Sequence, residues 1–211
     1  MPPGRHHLPR DFVAQHQRSR LMAAMAMLVA ERGYPATSLT QIVKTAGVAR
    51  HTFYEHFADK EALFLAVFDD GCKRAFRVTQ KAAEGAEGPW AEKMRAGLHA
   101  YLAAIAEEPD LARLCLIESQ SAGPAAMDHY ERELRRFAAL LREGRESNPR
   151  GAELPDSLDE ILVGGVVWML NKQLSGGDAK GMLDLLPGVL EFVLSPYLGE
   201  PAAKRLATAA G

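Results

Sequence analysis

The chain has 211 residues, 47% hydrophobic and 25% charged, with a formal net charge of −2 at pH 7. That length allows one large or two small domains with a real core, and no charged start, apolar run and cleavage site points to secretion. Residues 1–60 hold eight Lys/Arg against four Asp/Glu and five of the seven histidines; a basic head on an acidic body fits a protein whose N-terminal part alone meets phosphates. Residues 1–9 read as a disordered arm. From Asp11 to Arg32 the apolar positions Leu21, Ala24, Met25, Leu28 and Val29 recur with helical period, and Gly33 ends the helix.

Residues 37–64, TSLTQIVKTAGVARHTFYEHFADKEALF, organise the rest. Ser38-x-x-Gln41 is a capping box, and Leu39, Ile42, Val43 and Ala46 then line one helical face. Gly47 stands where a helix end takes up left-handed backbone angles. A second short helix runs from Arg50 to Phe57, with Phe53 and Phe57 as its inner stripe and Arg50, His51, Thr52, Tyr54, Glu55 and His56 assigned to its polar face. Two short helices about a glycine turn describe a helix-turn-helix, whose second helix enters the major groove of DNA.

The same stretch resembles the DNA-binding domain of the TetR family of transcriptional repressors. The matching residues are Glu31-Arg32-Gly33-Tyr34, Thr37-Ser38, Ile42, Ala46-Gly47-Val48, Thr52-Phe53-Tyr54, His56-Phe57 and Lys60-Glu61-Ala62-Leu63-Phe64. The close match covers roughly residues 10–70. Two positions depart from the pattern: Ala49 replaces a helix-capping serine, a loss of about 1 kcal/mol, and His51 stands where a small residue is common. The resemblance assigns Arg50 and His51 to base edges and Thr52, Tyr54, His56 and Lys60 to phosphates. Glu55 either accepts from a cytosine amine or pairs with Arg50 or Lys60.

Asp59 is expected to cap a connecting helix over 59–83, after the helix-turn-helix domain at 10–58. Glu84 to Gly88 breaks it, and a helical domain spans 84–200 before a frayed tail at 201–211. Ser157-x-x-Glu160 is read as a further capping box, Asp178 as the cap of the last helix, and Pro187 as a kink or division within it. The whole chain is thus all-α. No uncharged stretch approaches the roughly 20 apolar residues of a membrane span, so no membrane partner is expected.

No nucleotide-binding, hydrolase or zinc-protease motif occurs, and neither an enzyme nor a cofactor is expected. Cys72 and Cys115 lie far apart in sequence and read as two reduced thiols of a cytoplasmic protein. The resemblance implies a small-molecule pocket in the second domain and a homodimer built on its last two long helices, here about residues 156–175 and 178–198. Charges at Val166 or Val193 would test that interface. Pocket residues cannot be carried over, because this half holds no motif. On physical grounds Trp90, Tyr101, Glu118 and Trp168 are candidates for their polar handles, and Met94 and Met169 as adaptable lining. The expectation is a dimeric repressor of a palindromic operator, released by a mostly apolar effector. A TetR-like activator or an effector-independent regulator fits the same residues, and an all-helical enzyme or lipid carrier is the rival from another class.

Overall fold

The structure, a computed structural model, describes residues 10–208; the arm at 1–9 lies outside them. Among the described residues every regular element is helical. Helix α1 (Arg10–Arg32) buries Leu21, Ala24, Met25, Leu28 and Val29. At α2 (Leu39–Ala46) the capping box is complete: Ser38 Oγ accepts from the Gln41 amide, and the Gln41 side chain accepts from the Ser38 amide at 2.8 Å. Gly47 then turns the chain with φ +60°, and a Cβ there would fall 2.3 Å from an Arg20 nitrogen. Glycine is required for the angle, and the Arg20 tip, which donates to the Gly47 carbonyl at 3.0 Å, takes up the space a side chain would need. Helix α3 (Arg50–His56) starts at Ala49 without a side-chain cap.

Asp59 caps α4 (Lys60–Gly85), its carboxylate accepting from the Ala62 amide at 2.8 Å. The first turns of α4 place Leu63, Phe64, Val67 and Phe68 in one core with Ile42, Phe53 and Phe57. Leu114 and Cys115 of α6 (Pro109–Leu116) enter the same core, so the N-terminal domain is seated on the second rather than tethered to it. A second core lies among α5 (Trp90–Glu107), α9 (Leu158–Ser175) and α10 (Leu186–Leu198). Between α6 and α9 the chain passes through a 3-10 turn at Glu118–Ser121, then α7 (Pro124–Ala138) and α8 (Arg142–Ser147).

Three local expectations change. Ser157 has helical backbone angles (φ −74°, ψ −10°) and makes no cap bond; a capping residue needs extended backbone, which this turn does not give it. Asp178 does not cap the last helix: it accepts from the Gly181 amide at 2.9 Å in a 3-10 segment, Lys180–Leu185, and α10 begins only at Leu186, so of its two readings Pro187 takes the division. The expected frayed tail holds α11 (Glu200–Thr208), which buries Ala203 and Ala207. Among the described residues one helical stretch, 180–198, is long and apolar enough by composition to cross a membrane; it is broken between the 3-10 segment and α10 and supplies Met182, Val189, Leu190 and Leu194 to the core.

Candidate nucleic-acid interface and internal cavity

Helix α3 makes two turns, and its faces separate with the 3.6-residue period. Arg50, His51, Tyr54 and Glu55 are exposed, while Thr52 and Phe53 are buried and His56 is half-buried. Two assignments are thereby corrected. Thr52 is 6% exposed and His56 has a buried Nε2 without a protein partner; both share the inward side with Phe53 and Phe57 instead of facing a phosphate. Arg50 and Tyr54, one turn apart, form a unit: the guanidinium donates to the Tyr54 hydroxyl at 3.4 Å and lies 6.0 Å from its ring centroid. Glu55 forms no ion pair with Arg50 or Lys60 among the described residues.

Lys60 is also redirected. Its ammonium donates to the Tyr34 and Thr37 carbonyls at 3.1 and 3.0 Å and lies 4.0 Å over the Tyr34 ring. Partial burial holds its pKa below the ordinary lysine value. Two of its three N–H groups therefore brace the turn before α2, and one remains for a phosphate. Lys60→Met is expected to cost about 1–2 kcal/mol of stability, because charge-assisted bonds to two carbonyls are lost. A melting curve checks this, and an unchanged midpoint would remove the bracing role.

Glu118 was expected in a pocket; it lies at the domain junction. Its carboxylate accepts from the Tyr34 amide at 3.0 Å, so one turn receives Lys60 from α4 and Glu118 from the end of α6. Neither contact has a sequence signal, since the partners are backbone atoms far along the chain.

The second domain encloses a cavity of about 310 Å³ among α4, α5, α6, α7, α9 and α10. Met94 and Tyr101 lie on its wall, with Leu98, Phe137, Val166 and Val193 among the apolar lining. Tyr101 packs at 5.2 Å on the Phe137 ring, and burial pushes its phenol pKa up. Polar lining is sparse and partly self-satisfied: Arg74 forks onto Glu108 at 2.8 and 2.7 Å.

Three other pocket candidates are elsewhere. Trp90 is wedged against Tyr197, ring centroids 5.0 Å apart, and fills the space left by Gly144. Met169 packs against the second core without lining the cavity. Trp168 is 64% exposed, on an outer face of α9 with Ile161 at 60%, beside Phe192 of α10 at 40%. A Cβ added at Gly164 or Gly188 meets no atom within 4 Å, so both glycines are open to the outside. Val166 and Val193 are buried on the opposite, cavity side, so neither probes an outer interface. Their β-branched character gave no sign of which face they take.

Residues 21–67 match the profile of the bacterial regulatory proteins of the tetR family. Over nearly the whole chain the fold is similar to three solved structures. The fatty acid degradation regulator FadR from Bacillus halodurans aligns with a TM-score of 0.74 at 20% identity, covering 87% of this chain and 95% of that one. The transcriptional regulator FadR from Bacillus subtilis, in complex with stearoyl-CoA, aligns at 0.68 and 19%, covering 86% and 98%. A gamma-butyrolactone receptor, described as ArpA-like, aligns at 0.70 and 22%, covering 94% and 98%.

Proposed function

We propose that this chain, a DNA-binding transcriptional regulator that belongs to the TetR family of bacterial regulatory proteins, acts in the cytoplasm as a homodimeric repressor released from a palindromic operator by a small, mostly apolar effector. One observation carries the reading: the cavity is walled by α4 and α6, the two helices whose buried residues also seat the helix-turn-helix. An occupant that favours a different α4–α6 arrangement biases the position of α3. In the dimer, the two α3 helices must sit about 34–36 Å apart to enter successive major grooves. An effector needs only to bind better to the form with another spacing. The apolar lining suits an acyl chain or an alkylated lactone, the chemistries named for two proteins of the same fold.

At the DNA, Arg50 and His51 are proposed to meet base edges, Glu55 a cytosine amine, and Tyr54 with the remaining Lys60 donor the phosphates. Dimerisation is assigned to the face of Ile161, Trp168 and Phe192, where the open glycines let two copies approach. Binding to an operator duplex selected from a random pool, with and without long-chain acyl-CoA or a butyrolactone, tests the function. Sequence-selective, salt-sensitive binding that an apolar ligand weakens supports it. Selective binding that no cavity occupant alters would leave a regulator without an effector.

Arg50→Ala is expected to lose about 1–3 kcal/mol on the operator and less on random DNA. Tyr54→Phe removes both a phosphate donor and the hydroxyl that orients the Arg50 fork. Its loss and that of Arg50→Ala should therefore overlap, the double variant falling short of the sum by about 0.5–1 kcal/mol. Full additivity in gel-shift titrations would separate the two residues.

A further inference from the structure

Cys72 on α4 and Cys115 on α6 are the chain's two cysteines. Both are free thiols on the wall of the same cavity, one on each of two helices that pack together there. Their approach depends on Gly71, where a Cβ would stand 2.9 Å from Cys115 Sγ, closer than carbon and sulfur pack. The Cys115 thiol also lies 3.9 Å from the Phe68 carbonyl, and the Ser119 hydroxyl donates to the Cys115 carbonyl at 2.8 Å, so its position is fixed. The neighbouring Cys115 thiol and then burial push the Cys72 pKa up. Cys72 thus keeps its proton, and the first attack is assigned to Cys115. Two thiols opening on one cavity differ from a cysteine sealed in apolar packing, which is inert.

We propose that Cys72 and Cys115 form an oxidant-responsive dithiol inside the cavity, closed to a disulfide by an organic hydroperoxide whose apolar part the cavity admits. The Cys115 thiolate attacks the terminal peroxide oxygen and the O–O bond breaks. The alkoxide takes the proton that Cys115 gave up and leaves as the alcohol, with Cys115 now a sulfenic acid. The Cys72 sulfur then attacks the Cys115 sulfur, the S–O bond breaks, and the departing hydroxide takes the Cys72 proton as water. Two thiols and one hydroperoxide give one disulfide, one alcohol and one water. The thiols lose two electrons and the peroxide gains them.

The cross-link staples α4, which carries the helix-turn-helix, to α6, whose far end leads to the Glu118 contact with Tyr34. Its effect on DNA rests on the proposed effector reading, whereas the disulfide itself does not. The test treats the intact protein with stoichiometric cumene hydroperoxide or hydrogen peroxide and maps peptides under non-reducing conditions. A single intramolecular 72–115 cross-link is expected, forming faster with the apolar peroxide and reversed by dithiothreitol. Operator affinity should fall about tenfold and recover on reduction, within the usual range of coupling between sites. Cys115→Ser should abolish the reaction, and Cys72→Ser should stop it at oxidised Cys115. Should either variant fail to fold, the map of the unmodified protein still decides. Two alkylatable thiols after treatment or a disulfide only between chains would each overturn the proposal, and a 72–115 disulfide with operator affinity unchanged would overturn its coupling to DNA alone. The map reads the dithiol whether or not an apolar ligand releases DNA, so the two readings fail separately.

Discussion

Trp168→Glu is expected to convert the proposed dimer to monomers and to weaken specific operator binding steeply. The indole is 64% exposed in the single chain, seven residues from Ile161 on α9 and three from Gly165, against which Phe192 packs. Across a two-fold interface each residue counts twice. Loss of a buried tryptophan anchor typically costs about 2 kcal/mol or more, so two such losses weaken the dimer by about a thousandfold. The new carboxylates add a desolvation cost in the dimer alone. In the monomer Lys172, whose ammonium lies 5.6 Å from the Trp168 ring centroid, is one turn away and can pair with the acid. A monomer holds one recognition helix and reads one half-site, so selectivity between operator and random DNA should fall steeply. Sedimentation and a gel shift check both effects. A Trp168→Glu protein that still sediments as a dimer would move the interface off α9.

The helix-turn-helix was legible because its signals are local. Ser38, Gln41 and Gly47 act on backbone within a few residues of themselves, and their chemistry has few other uses. Ser157-x-x-Glu160 has the same spelling and no such outcome. Ser157 follows the turn at Pro155 and has helical angles, and the acid of the first turn that matters is Asp159, held by Arg145 at 3.1 Å and by the Tyr197 hydroxyl. Those partners are distant in sequence, so the pattern alone could not weigh them. The ordered α11 was missed for a related reason: its inward residues are alanines, which carry almost no hydrophobic signal yet are buried by α10.

Within the site, residue types were easier to read than directions. Thr52 and His56 read as outer-face residues of α3 for being polar, although His56 stands three positions from Phe53 and four from Thr52, on the side that the phenylalanines define. Trp90, Glu118 and Trp168 share a polar handle on a large side chain, and the fold uses them for three different tasks: a core wedge, a junction contact and an outer face. Tertiary contacts separate these tasks, and nothing in the spacing does. The thiol pair is the extreme case, since two residues far apart in sequence meet only because Gly71 lets α4 and α6 cross closely.

Phe53→Ala is expected to remove the seat of the recognition helix while leaving every DNA-facing side chain in place. The ring is fully buried, lies 5.9 Å from the Phe57 centroid and 5.4 Å from that of Tyr54, and shares its core with Ile42, Phe64 and Leu114. Truncating such a residue costs about 3–5 kcal/mol, a large part of an ordinary domain's stability. For a chain of this size the midpoint should drop by roughly 6–20 °C. Binding to operator and random DNA should fall together, in step with the unfolded fraction, and return on cooling below the new midpoint. Arg50→Ala should do the reverse, leaving the melting curve unchanged and reducing discrimination between the two DNAs. Thr52→Val, nearly isosteric at a buried position, separates the remaining case: a loss on both DNAs without a change in melting would give the Thr52 hydroxyl back to a phosphate. A Phe53→Ala protein that melts where the parent does would mean that α3 is held by other contacts, and the inner face assigned to it here would be wrong.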